Sequence, residues 1–363
     1  MSSPTVVPFE DRTDQLWEAV AAGDEHAATA VVFDALENGA TAERVLLDLI
    51  APVQRKVGEE WAANRMTVAQ EHAATAINDR AISALSHHYA AHTAGSRGRV
   101  VVACVDGEWH GLPARILAEV LKLRGWTVDY LGAQVPPTHL ITHLHQTGPD
   151  LVALSSSIAT RLPTAHAAIT AVQATNTPVL VGGAAFGVHG QYARLLGADM
   201  WAPDAAAAAD RLEQGPGPLP SPAPAHQPID DLPHLADQEY TMVARTHTNL
   251  VRTVMAALED RFPAMRDYTA LQRQHTAEDI AHIVDFLAAA LYTNDAELFT
   301  GFLTWTTGIL TARGVPARSL LPALGILGEQ LKDFPRAVDM ITQATDHLTG
   351  TRSVNASDSR NSG

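Results

Sequence analysis

Between residues 97 and 212, apolar runs at 100–105, 126–131, 151–154, 178–181 and 199–202 alternate with segments of helical spacing. Strands separated by crossover helices pair in parallel, and the repeated unit builds a doubly wound sheet with helices on both faces. This pattern also says where a ligand sits, because open sheets of this kind bind at the loops beyond the carboxyl ends of their strands. The first such loop reads Asp106-Gly107-Glu108-Trp109-His110-Gly111-Leu112-Pro113. An imidazole at position 110, with a carboxylate two residues earlier, is placed to hold a large metal cofactor over the sheet edge. A carboxylate behind a ligating imidazole orients the ring and raises its basicity.

Composition narrows the function classes. A chain of 363 residues has room for two or three domains. The formal net charge of -15 argues against a phosphate-binding surface, since nucleic-acid binders cluster Lys and Arg, so no nucleic-acid partner is expected. The single cysteine, Cys104, lies in an apolar run, makes no intramolecular disulfide and fits a reducing cytoplasm. It also leaves no thioether anchor for a chromophore. The first twelve residues lack an apolar signal region, and no run reaches the ~18 apolar residues of a membrane span. A cytoplasmic protein without a membrane partner is expected.

Residues 11–95 read as a four-helix bundle with breaks at Gly23-Asp24, Asn38 to Thr41 and Asn64 to Thr67. Thr67 with Gln70 matches a capping box, and Leu46, Leu47, Ile50, Val53 and Val57 keep helical spacing. After the α/β segment, assigned to 97–213, residues 214–235 carry Pro216, Pro218, Pro220, Pro222, Pro224, Pro228 and Pro233, a semi-rigid linker. Residues 236–348 are helical again. Thr276 to Asp279 is a capping-box candidate there, followed by the apolar stripe Ile280, Ile283, Val284, Leu287 and Leu291. Asn294-Asp295 opens the next helix, and Arg313-Gly314-Val315-Pro316 pairs a glycine stop with a proline start. Residues 349–363, rich in Ser, Asn and Asp, read as a disordered tail.

The α/β segment resembles the cobalamin-binding domain shared by methionine synthase, corrinoid methyltransferases and cobalamin photoreceptors, a flavodoxin-like sheet. Glu108-Trp109-His110 stands where that family has an acidic residue, any residue and the lower axial histidine. Ser155-Ser156-Ser157, Val181-Gly182-Gly183 and Gly197-Ala198-Asp199 match the positions lining the nucleotide-tail channel and the last strand. The resemblance implies base-off, His-on binding with His110 as the cobalt ligand. It implies cofactor contacts from Glu108, Trp109, Gly111, Ser155, Ser157, Gly182 and Gly183. Glycines admit close backbone approach and small hydroxyls donate without bulk. Pro113 departs from the family, which has a glycine three residues after the histidine.

The bundle resembles the cap of adenosylcobalamin-dependent photoreceptor regulators, because Trp61 is followed after nine residues by Glu71-His72. Both lie at one end of the bundle, over the upper cobalt face. The resemblance implies that Trp61 packs on the adenosyl group while Glu71 and His72 offer polar contacts. Two departures stand: few residues precede the bundle where the regulators carry a helix-turn-helix domain, and Ala62 replaces the histidine that captures cobalt after light. His72 is the nearest substitute.

The C-terminal helices resemble the globin-like sensor modules of stress-signalling proteins. The full domain order, all-α cap, α/β sheet and all-α globin-like module, resembles the photocobilins, which add a biliverdin chromophore. A bilin needs buried surface, cations for its propionates and a polar group at the pyrrole nitrogens. His282 and Asp285, with Tyr292 and Trp305 as aromatic walls and Arg313 for a propionate, are the candidates. A haem held by His282 or His275 is the alternative.

The first functional expectation is therefore a non-enzymatic light sensor in which photolysis of adenosylcobalamin rearranges the cap. Biliverdin would extend absorption, and the signal would pass to a downstream signalling protein or to a homo-oligomer. The competing expectations are a corrinoid protein that shuttles methyl groups and a cofactor-free interaction protein of the stress-sensing type.

Overall fold

The computed structural model describes residues 9–89, 97–214 and 228–358. They divide into two compact units, residues 1–226 and 227–363.

The first unit opens with α1 (Phe9–Ala22) and α2 (Glu25–Glu37). A third rod follows, made of α3 (Ala42–Arg44), a π-helical turn at Val45–Ile50 and α4 (Ala51–Ala62). In the widened turn the Ala51 amide donates to the Leu46 carbonyl, and Pro52 next withholds an amide from the ladder. α5 (Val68–Tyr89) completes the bundle. The Thr67 hydroxyl accepts from the Gln70 amide at 3.2 Å, and the Gln70 side chain accepts from the Thr67 amide at 2.9 Å, the capping box expected from sequence.

Strands β1 (Arg99–Cys104), β2 (Thr127–Gly132), β3 (Leu151–Ser155), β4 (Val179–Gly182) and β5 (Met200–Ala202) form one parallel sheet in the order β2-β1-β3-β4-β5. Residues Val100 to Cys104 are fully buried, as continuous apolar runs must be when helices cover both faces. The covering helices are α6 (Gly111–Leu123), α7 (Pro137–Thr147), α8 (Leu162–Gln173), α9 (Gln191–Leu195) and α10 (Ala205–Glu213). The chain turns outward in opposite directions from β1 and β3, so their loops part and leave a crevice between them.

Bundle and sheet share one apolar core, which runs from Leu16, Leu49 and Ile82 through Leu117 and Leu121 to Val100 and Val102. Polar ties reinforce the seam. The Tyr89 hydroxyl donates to the buried Glu119 carboxylate at 2.8 Å, and Arg124 pairs with Glu43 at 2.6 Å.

The second unit begins earlier than the sequence suggests. Residues 215–227 of the proline-rich stretch lie outside the described residues, but α11 (Pro228–Asp231) and a 3-10 turn at Pro233–Asp237 belong to the domain. Leu232 and Leu235 are buried, and that burial anchors residues read as linker. α12 (Glu239–Arg261), α13 (Ala270–Thr293), α14 (Ala296–Ala312), α15 (Leu320–Gln330) and α16 (Pro335–Asp358) follow. Thr276 does not cap α13. The helix starts two turns sooner at a capping box of Thr269 and Gln272, and the Thr276 hydroxyl instead donates to the Gln272 carbonyl at 2.8 Å inside the helix. α16 runs on past residue 348 to Asp358, with no proline after Pro335 to stop it, and 359–363 lie outside the described residues.

A candidate cobalamin site at the sheet edge

Glu108 organises the crevice. Its side chain is fully buried on the loop after β1, and every oxygen is used. One oxygen takes the His110 amide at 2.9 Å and faces His110 Nδ1 at 2.6 Å. The other accepts from the Ser156 hydroxyl at 3.1 Å, the Ser157 amide at 2.6 Å and the Ile158 amide at 3.1 Å, all on the loop after β3. A single carboxylate thus pins both lips of the crevice. Burial pushes its pKa up, but the His110 ring and the His110 and Ser157 amides outweigh that and hold it down to about 2.

The His110 ring is about half exposed, with 53% of its side chain open. An anionic Glu108 selects the tautomer that carries hydrogen on Nδ1, which leaves the Nε2 lone pair facing outward. The bond to Glu108 raises the ring's pKa, opposed by burial and reinforced by the nearby Glu71 carboxylate. Glu71 belongs to α5, so the cap and the lower loop face each other here.

The remaining sheet-edge residues serve as backbone. Ser155 is buried in β3, and its carbonyl accepts from the Val105 amide at 3.0 Å. Ser156, which was not singled out from sequence, is the serine whose hydroxyl reaches Glu108. Its neighbouring serines gave no signal to distinguish it. Gly182 and Gly183 pack against adjoining backbone. A Cβ on Gly183, whose φ is +100°, would fall 2.2 Å from the Ser156 carbonyl oxygen. Gly111 opens α6, and its carbonyl accepts from the Tyr130 hydroxyl at 3.1 Å. Trp109 is 67% exposed beside His110. Pro113 sits in the first turn of α6, where its missing amide costs no helix bond.

On the cap, Trp61 is half-buried at the end of α4, while Glu71 and His72 occupy the first turn of α5. His72 Nδ1 stands 2.5 Å from one Glu71 oxygen, and the Thr75 hydroxyl donates to the other at 3.0 Å. Val68, in the same turn, is 56% exposed. No three-residue His/Cys/Asp/Glu cluster occurs among the described residues.

The C-terminal candidates do not converge on one point. His282, Asp285 and Arg313 are exposed, and Trp305 is 51% exposed. Tyr292 is buried edge-to-face against Tyr240, and its carbonyl is 2.8 Å from His234 Nε2. It lies roughly 15 Å along α13 from His282. Burial raises the Asp279 carboxyl, against the electrostatic pull of His282, Arg313 and His275. Asp285 pairs with His247 at 3.2 Å.

Comparisons with known families define the class. Residues 13–86 and residues 98–210 each match a family described as B12 binding domain. The first unit is thus a helical B12-binding cap followed by a B12-binding α/β domain, and the cofactor is a cobalamin.

Among individual proteins, the chain is similar to the HTH-type transcriptional repressor CarA of Myxococcus xanthus, at 30% identity over 50% of this chain and 63% of the repressor. It is similar to CarH of the same organism at 31% identity, over 39% of this chain and 48% of that repressor. The chain thus spans less than two thirds of either relative. The fold is also that of the Methanosarcina barkeri monomethylamine corrinoid protein, with a TM-score of 0.51 at 17% identity over 57% of this chain and 99% of that one. No described helix is long and apolar enough to cross a membrane.

Proposed function

We propose that this protein is a light sensor that holds adenosylcobalamin between cap and sheet, base-off and His-on. The observation that carries the reading is His110, pinned through Nδ1 by Glu108 at the sheet edge, with the Glu71 carboxylate of the cap near enough to act on its ring. When bound, the cofactor supplies a photolabile cobalt–carbon bond. The protein's own part is positional. Glu108 keeps the His110 ring in one tautomer and one plane, Gly183 lets the loops after β3 and β4 close together beneath it, and Trp61 closes over the upper ligand. Departure of that ligand removes an apolar contact from Trp61 and a polar partner from Glu71 and frees the cap to move. The similarity to CarA and CarH supports a sensor over an enzyme, while Ala62 leaves His72 as the histidine available to the upper face.

For the C-terminal helices we extend the proposal to a globin-like domain that binds biliverdin. Phe286 and Phe302 stack at 3.8 Å beside the exposed Trp305, and Arg313 and His282 both act on the Asp279 carboxyl. These offer an aromatic wall and a cation for a propionate. The signal would then pass to a protein partner or to a second copy of the chain.

The test is an absorption spectrum of the chain loaded with adenosylcobalamin, with and without biliverdin, before and after green light. Loss of the adenosyl bands with no methyl acceptor present supports the sensor, and a light-inert protein that accepts methyl groups turns the reading to a methyl carrier. His110→Ala is expected to weaken retention at least tenfold and shift the dark spectrum. An unchanged spectrum removes His110 as ligand.

A further inference from the structure

Inside the cap a chain of hydrogen bonds runs from the bundle core to Glu71. On α4, Gln54, Gly58 and Trp61 fall on one stripe, and on α5 so do Glu71, Thr75 and Asn78. The two stripes meet. Asn78, fully buried, donates from its amide to Gln54 Oε1 at 2.8 Å. Gln54 donates from Nε2 to the Thr75 hydroxyl at 2.8 Å, and Thr75 donates to Glu71 Oε1 at 3.0 Å. Every donor points the same way, toward the carboxylate at the cofactor face, so each bond polarises the next. Asn78 Oδ1 is buried without a partner. Retaining a buried amide with an unsatisfied oxygen in an otherwise apolar bundle costs stability, and packing does not call for it.

We propose that Gln54, Thr75 and Asn78 are positioning residues that hold the Glu71 carboxylate toward the upper ligand of the cobalamin and so set the cap's selectivity for an adenosyl group. The proposal rests on the cap reading above. None of the three touches the cofactor. They act by restricting Glu71 to one rotamer, so that its contact with the ligand needs no further ordering.

Titration of the full-length chain in the dark with adenosylcobalamin and, separately, hydroxocobalamin tests this. Thr75→Val keeps the side-chain shape and removes both bonds, and Gln54→Leu cuts the chain one step back. Each is expected to raise the Kd for adenosylcobalamin about 5- to 10-fold, while that for hydroxocobalamin changes less than about twofold. The double variant should be no worse than the worse single one, because both break one chain. Thr75→Ser restores wild-type selectivity, which separates positioning from folding. Equal losses for the two cobalamins, additive losses in the double variant or no loss at all would overturn the proposal. Wild-type protein that binds both cobalamins equally tightly overturns the cap reading itself, and the proposal with it.

Discussion

A buried carboxylate that collects five donors, one of them a half-exposed imidazole, is expensive to assemble, and the loop sequence serves that one arrangement. Glu108 accepts from the His110 and Ser157 amides because the loops after β1 and β3 lie side by side at the sheet edge. Gly183 carries an equal constraint from the opposite side. Its φ of +100° is available to glycine alone, and its Cα abuts the Ser156 carbonyl. Gly183→Ala is expected to destabilise the first unit by about 2–3 kcal/mol, visible as a lower thermal midpoint of the apo-protein. A midpoint equal to wild type would show that the β3 and β4 loops can part without cost. The Glu108-x-His110 motif was legible from sequence because the family resemblance and the strand end agreed. The role of Ser156 was not, since three adjacent serines differ only in which way the folded chain turns them.

At the scale of elements, the seam between bundle and sheet depends on α5 meeting α6. Glu119 on α6 has no exposure and is held by Tyr89 at 2.8 Å, Lys122 at 2.9 Å and Arg115 at 3.2 Å. Burial pushes its carboxyl up, but the bonds from Lys122 and Tyr89 win and lower it below the ordinary 4.5. A depressed folded pKa contributes stability that is whole above the ordinary value and lost as pH falls through the folded one. Glu119→Gln should therefore cost about 2 kcal/mol at pH 7 in urea denaturation. The gap to wild type should shrink steadily below pH 4.5. A gap that stays constant down to pH 3 would mean that the ion cluster adds nothing to the seam. The helix breaks of the bundle were readable from Asp24, Thr41 and Thr67. The start of α13 was not, because Thr269 with Gln272 and Thr276 with Asp279 offer similar caps two turns apart, and the choice falls to the turn at Pro263–Asp267 that ends the preceding segment.

At the scale of the molecule, the chain joins two units with separate apolar cores, one spanning cap and sheet and the other confined to α12 through α16. Everything assigned to the cobalamin site lies in the first. A chain ending at residue 226 is expected to bind adenosylcobalamin with an unchanged dark spectrum and a Kd within about twofold of full length, measured by absorbance titration. A loss of more than tenfold would place part of the site in the C-terminal unit. The same experiment with biliverdin asks whether long-wavelength absorption disappears with residues 227–363.

The alternation of apolar runs and helices determined a parallel sheet, and with it the edge at which a ligand must lie, because strand period and crossover length admit few other topologies. Helical breaks and the motif at 108–110 were equally local in origin. Only the tertiary structure decided which serine reaches Glu108, that Glu71 stands near His110, and that Thr75, Gln54 and Asn78 form a single chain behind it. Those residues are tens of positions apart or on different elements. Spacing along a helix says which side chains share a face, and packing alone says what that face meets.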